Sequence, residues 1–182
     1  MNKKIIDPTY ISLFSSAGVG CYGLEKAGFR CVATNELLER RLQIQKFNKL
    51  NGTHDDCFVL GSILNDDVKD RILELANDWR DKSGRAIDIL VATPPCQGIS
   101  VANHKKNDAD HNRNSLVVES IVLTKEILPK VFVFENVRGF LNTLCTDRDG
   151  VDKTISAAID QNLSSFYNIT SRIVNFKNYG VP

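Results

Sequence analysis

Short apolar runs alternate with longer amphipathic segments along this chain, and that alternation limits what it can fold into. YISLF, CVAT, FVL, IDILVA and VFVF are strand-length, rich in β-branched and aromatic residues, and apolar almost throughout. Strands of that kind are buried on both faces, as in a parallel sheet with helices packed on each side. We therefore place strands at Tyr10–Phe14, Cys31–Thr34, Phe58–Leu60, Ile87–Ala92, Val131–Phe134 and Ile169–Asn175. Helices are expected over about Tyr22–Ala27, Leu37–Lys49, Asp66–Trp79, Ser115–Leu128 and Lys153–Leu163. Leu116, Val117, Ile121, Leu123 and Leu128 give the fourth of these a broad apolar stripe at helical spacing. The fold class is α/β, doubly wound, with βα units around a parallel sheet.

At 182 residues the chain suits one domain with a sizeable core, or part of a larger one. A 42% hydrophobic and 25% charged composition is that of an ordinary globular protein. The formal charge of +1 gives no global sign of a nucleic-acid partner, although a local basic face remains compatible with it. No apolar run approaches membrane-spanning length, and MNKKIIDPTY is not a signal peptide. Cys21, Cys31, Cys57, Cys96 and Cys145 are odd in number and scattered, with no CxxC pair. That pattern points to a reducing compartment and away from disulfides or a structural zinc. The histidines lack metal-ligand spacing, so no metal is expected.

The run ILVATPPCQGIS ends an apolar strand with Pro94-Pro95 and then presents Cys96. Proline has no backbone donor, so the strand must stop there, and each residue before a proline is held extended. A stiff corner at a strand end suits a reactive thiol. Taken alone, a single cysteine is more often a small buried hydrophobe than a nucleophile. The polar stretch from Asn103 to Asn114 follows, with Lys105, Lys106, His111 and Arg113, and reads as a loop. Long loops in compact domains are either solvated surface or binding lids.

Two further strand ends carry candidate chemistry. LFSSAGVG, Leu13 to Gly20, is a small-residue loop between strand and helix, where a ligand could approach the backbone and the helix amides. It lacks GxGxxG, which disfavours a pyrophosphate cofactor, and a plain tight turn is its other reading. Glu36 closes the second strand about 20 positions later, placed either to accept ribose hydroxyls or to serve as an acid at a helix start. VFVFENV delivers Glu135 to the mouth of a strand expected to be buried, where it would be partly desolvated and could act as an acid. The alternative is an ion-pair partner for Arg138.

PPCQ after one strand, ENV after a later one and LFSSAG at the first loop, in that order and spacing, resemble the motifs of the DNA cytosine-5 methyltransferases. NYGVP at the end resembles the start of a further block of that family, so the likeness covers essentially the whole chain. It implies a Rossmann-like, S-adenosylmethionine-dependent methyltransferase fold, with residues 1–182 forming a single, C-terminally incomplete catalytic and cofactor-binding domain. Cys96 would add as thiolate to carbon 6 of a flipped cytosine, which is extruded because stacking hides its reactive face. Glu135 would hold the base edge, and carbon 5 would receive the methyl group. Phe14 would stack near the adenine, Ala17 and Gly18 would line the methionine, Glu36 would hold the ribose and Leu37 would lie against the adenine. Ser62 and Ile63 fall at the adenine amino site, and Pro95 and Leu116 would complete the cofactor wall. Gln97, Ser100, Arg113, Asn136 and Val137 would meet the double-stranded DNA. The resemblance further implies a bacterial, cytoplasmic restriction-modification or orphan methylase, monomeric when complete.

The chain departs from the family pattern in places. Ser62 stands where an aspartate is usual, and Ser16 and Val19 replace common glycines. The Gln-x-Arg block, target recognition domain, closing helix and final strand that follow in the family are not in these 182 residues. The expectation is a truncation, an incomplete gene product or half of a split enzyme. Such a fragment would self-associate or need its missing part. A tRNA cytosine-5 methyltransferase and a non-catalytic partial subunit are the alternatives. An amino-methyltransferase would carry an aromatic where Cys96 stands.

Overall fold

A computed structural model describes residues 7–49, 53–95 and 108–180, with side chains in the last stretch from Ser115 onward. Five strands form the central sheet: β1 (Thr9–Leu13), β2 (Arg30–Glu36), β3 (Phe58–Leu60), β4 (Ile89–Ala92) and β5 (Val131–Phe134). Their order is β3-β2-β1-β4-β5 and every pairing is parallel. β1 is buried along its whole length, as its apolar sequence requires. Tyr10 faces Ile89, Leu13 faces Ala92, and Ala92 faces Phe134 across the ladders. The chain reverses its direction of winding between β1 and β4, the place where open α/β sheets bind ligands.

Helices α1 (Val19–Lys26), α2 (Glu39–Asn48), α3 (Asp66–Ser83), α4 (Asp108–Ile127) and α5 (Ile155–Leu163) complete the layers. One sheet face packs Ile11, Leu13, Leu90 and Ala92 against Ile72 and Leu75 of α3 and Leu123 and Ile127 of α4. Tyr10, Cys31 and Ile89 on the other face meet Cys21 and Leu24 of α1. A satellite core joins Val117, Val118 and Ile121 of α4 to Ile155, Ile159 and Leu163 of α5, with Phe132 and Phe134 beneath. This is the doubly wound, Rossmann-like architecture.

The structure corrects several boundaries. β1 stops at Leu13 because Phe14 turns into the left-handed region, φ 58°. β2 runs on through Asn35 and Glu36, whose polar side chains are buried by bonds they make themselves. β4 begins at Ile89, since the Asp88 amide turns to the Thr9 hydroxyl and leaves the ladder. α3 continues to Ser83, where Gly84 at φ 65° caps it with a bond from its amide to the Arg80 carbonyl. The polar stretch read as a loop is helical from Asp108, with Asp108 and Asp110 in the first turn, where the helix dipole favours acids.

Ile169–Asn175 is not a strand. No strand lies beside it among the described residues, and Ile173 and Val174 stay exposed. Lys153 and Thr154, expected in the last helix, belong to an antiparallel hairpin of β6 (Leu144–Thr146) and β7 (Asp152–Thr154). The Thr154 hydroxyl caps α5 by accepting the Ala157 amide at 3.2 Å.

Lys153 ties the hairpin to its own turn. Its ammonium lies 3.1 Å from Asp147 and 2.7 Å from Asp149. Its hydrogen bond to Asp149, with that from the Val151 amide, lowers the Asp149 carboxyl to about 2. A carboxylate depressed in the folded state stabilises at pH above its ordinary value near 4. That contribution fades as the pH falls towards 2. The hairpin amides should therefore lose hydrogen-exchange protection between about pH 4 and 2. Asp149→Asn should flatten that part of the profile, and an unchanged profile would remove the ion pair as its cause.

Candidate active site

Among the described residues, the β1–α1 loop gathers the most unusual backbone. Phe14, Ser16 and Gly18 all have positive φ, at 58°, 52° and 85°. For Phe and Ser this costs on the order of 1 kcal/mol each, and such strain gathers at ligand sites. Side chains from β2 and α2 hold the loop. The Ser15 amide and hydroxyl both donate to the Asn35 carbonyl, at 2.9 and 3.0 Å. The Ser16 amide donates to Glu36 Oε2 at 2.9 Å.

A cleft of about 520 Å³ opens above this loop, at the carboxyl ends of β1 and β4. Phe14, Ser16, Ala17 and Gly20 form one side, and Thr93 and Glu135 the other. Thr93 ties the two sides together, its hydroxyl donating to the Phe14 carbonyl at 3.0 Å. The Glu135 amide donates to the Ala92 carbonyl at 3.0 Å, which fixes where its side chain leaves the sheet. Asn136 Nδ2 donates to the Pro94 carbonyl at 2.8 Å, so the ENV turn grips the Pro94-Pro95 corner directly. Its Oδ1 accepts the Val137 amide at 2.9 Å.

The predicted residues divide accordingly. Phe14, Ala17 and Glu135 share the cleft. Glu135 is exposed, not partly desolvated, because β5 is an edge strand of this sheet and not a buried one. Among the described residues no ion pair joins it to Arg138. Glu36 is buried, and beyond Ser16 it accepts the Leu38 amide at 3.0 Å. It is thus a brace for the loop and for the start of α2, and a carboxylate has lone pairs left for a further donor.

Leu37 stands exposed beside Glu36. Ser62 turns its hydroxyl to the Leu64 amide at 3.2 Å. Ile63 is only 1% exposed and its side chain belongs to the main core. Pro95 is exposed, and Leu116 is partly buried against the main core. Cys96, Gln97 and Ser100 lie outside the described residues, as does the side chain of Arg113, whose backbone is in α4.

Sequence reasoning missed Gln45. It is buried on α2, one turn from Leu42, and reaches the loop. A polar residue on the core-facing stripe of a helix was the available signal. The other cysteines are plainly structural. Cys21, Cys31, Cys57 and Cys145 are all buried. Burial pushes the Cys21 thiol up and lifts Cys145 to about 11. A hydrogen bond with Cys57, reinforced by burial, pushes Cys31 up as well. No group of acidic, histidine and cysteine side chains suited to a metal occurs among the described residues, and none of their helices is long and apolar enough to cross a membrane.

A Rossmann-like sheet with a strained small-residue loop at its switch point defines the class of nucleoside-cofactor α/β proteins. Residues 9–182 match the family described as C-5 cytosine-specific DNA methylase, and the chain belongs to that family. It is 33% identical to the Type II methyltransferase M1.HgaI of Avibacterium volantium, covering 100% of this chain and 48% of that protein. Against the Type II methyltransferase M.XorII of Xanthomonas oryzae pv. oryzae the identity is 33%, covering 96% and 38%. M.AquIA of Picosynechococcus is 30% identical and is covered to 68% of its length. The chain thus spans about half the length, or less, of the first two relatives. Two solved structures share the fold. One is a prophage-encoded protein of E. coli described as a DNA modification methyltransferase, with TM-score 0.54 at 24% identity, covering 87% of this chain and 38% of that one. The other is gox2181, with TM-score 0.57 at 16% identity, covering 87% and 65%.

Proposed function

We propose that the chain forms the cofactor and catalytic portion of an enzyme that methylates carbon 5 of cytosine in duplex DNA. The observation that carries this reading is the cleft joining the β1–α1 loop to Glu135, beside the Pro94-Pro95 corner that leads into Cys96. The residues present fit S-adenosylmethionine. Ser15, Ser16, Ala17 and Gly20 leave the cleft floor free of bulk, Phe14 offers an aromatic face, and Glu36 retains acceptor capacity. When bound, that cofactor supplies the electrophilic methyl group.

The protein's own groups would prepare the base. The Cys96 thiolate forms a bond to carbon 6, and the electron pair moves towards carbon 5 and the ring. Glu135 hydrogen-bonds or protonates the ring nitrogen and so drains the developing charge. After carbon 5 is methylated, loss of its proton returns the electron pair, the sulfur–carbon bond breaks and the thiolate is regenerated. Burial of the four other cysteines supports Cys96 as the nucleophile. Trapping with a 5-fluorocytosine duplex tests the scheme, because fluorine at carbon 5 cannot leave as a proton and the adduct persists. Absence of an adduct with the complete enzyme would refute it, and trapping by a tRNA in place of the duplex would reassign the substrate.

The 182-residue chain by itself should bind S-adenosylmethionine weakly and leave DNA unmethylated. The cleft is open, and Val131 and Val133 of edge strand β5 are 51% and 41% exposed. An unpaired apolar edge also favours self-association. Calorimetry, a tritiated-methyl assay and light scattering read the three expectations. Robust sequence-specific methylation by this chain would overturn the second. Activity restored by a second polypeptide would identify a split enzyme.

A further inference from the structure

Ser16 is held at both ends, by β2 at its amide and by α2 at its carbonyl. Its amide is held by Glu36, just before α2, and its carbonyl accepts from Gln45 Nε2 at 2.6 Å. The second Nε2 proton goes to the Ser15 hydroxyl at 2.8 Å, which passes its own proton to the Asn35 carbonyl. Gln45 Oε1 accepts from the Thr34 hydroxyl at 3.0 Å, anchoring the amide to β2. The Ser16 carbonyl can only accept, so the amide orientation is fixed. Gln45 is 4% exposed, and water does not compete with these bonds. Its stem also fills the space above Gly18, where an added Cβ would fall 2.5 Å from Gln45 Cγ.

We infer that Gln45 is the positioning residue that sets the β1–α1 loop in its binding conformation, and that cofactor affinity depends on it. The inference rests on the reading of that loop as the S-adenosylmethionine cradle. Phe14 and Ser16 would relax from positive φ if left alone, and relaxation would move Phe14 and Ala17, which face the cleft. Gln45 touches none of the cleft itself, so it acts only through the loop.

Gln45→Met keeps the length and packing of the side chain but deletes both donors. The variant should fold, exchange the Ser16 and Gly18 amides at least tenfold faster, and bind S-adenosylmethionine about tenfold more weakly. Gln45→Glu, which keeps the acceptor but opposes the Ser16 carbonyl with a carboxylate, should not rescue either readout. A residue that merely filled the core would be replaced by Met without change, so unaltered exchange and affinity would overturn the inference. Should Gln45→Met fail to fold, Thr34→Val, which removes the hydroxyl that anchors the Gln45 amide and lies outside the cleft, decides the matter in the same two assays. If the unaltered chain bound no S-adenosylmethionine, the cradle reading would fail, while the exchange rates would still decide for or against Gln45.

Discussion

Cys96→Ala in the complete enzyme should abolish methyl transfer while leaving cofactor affinity nearly unchanged. No other thiol can substitute. Cys21 of α1, Cys31 of β2 and Cys57 just before β3 share one buried cluster, and Cys145 is buried on β6 of the hairpin. The raised thiols among them stay protonated at neutral pH, and a protonated thiol is a poor nucleophile. Alanine at any of those four positions should cost packing only, on the order of 1–3 kcal/mol, with methylation retained. Single-turnover transfer of a tritiated methyl group, alongside cofactor calorimetry, makes the comparison. Methylation by Cys96→Ala at a comparable rate would eliminate the covalent mechanism.

The strands of the sheet were legible in the sequence because a parallel sheet buries both faces and leaves continuous apolar runs, as in Tyr10–Leu13 and Cys31–Ala33. Polar residues that are buried by mutual bonding were not. Asn35 reads as a strand end, yet its Nδ2 donates to the Val59 and Gly61 carbonyls at 3.2 and 3.0 Å and carries β2 onward. Gln45 reads as one more solvated residue of a charged helix, although it holds the loop of the site. The hairpin of β6 and β7 is not legible, and Lys153 reads as part of the last helix, because the hairpin's stability lies in Lys153 and its carboxylates and not in an apolar pattern. Ile169–Asn175 shows the opposite error, since a stretch with β-branched residues forms a strand only where a ladder partner lies beside it. Candidate site residues followed the same rule. Phe14, Ala17 and Glu135 converge because strand ends of one sheet are neighbours, whereas buried Ile63 was inseparable by sequence from half-buried Ser62 and exposed Leu64.

Glu135→Gln should lower turnover by about 10²–10⁴-fold with little change in cofactor affinity. Glutamine keeps the size of the side chain and one acceptor oxygen but cannot donate a carboxyl proton to the ring nitrogen. The backbone at this position is set by the bond from its amide to Ala92 and by the Asn136 grip on Pro94, neither of which uses the carboxylate. The substitution should therefore leave the Pro94-Pro95 corner in place and act on the chemistry alone. The exposure of Glu135 in the open cleft sharpens the test. A carboxylate with so little protein around it contributes little to folding, so stability should change by no more than a surface substitution does, about 0.5 kcal/mol, and the melting temperature should barely move. A large loss of turnover with an unmoved melting temperature and intact cofactor binding assigns the carboxylate to the reaction. A rate equal to that of the unaltered enzyme would return Glu135 to a surface role beside Arg138 and leave the electron sink of the base without a protein group.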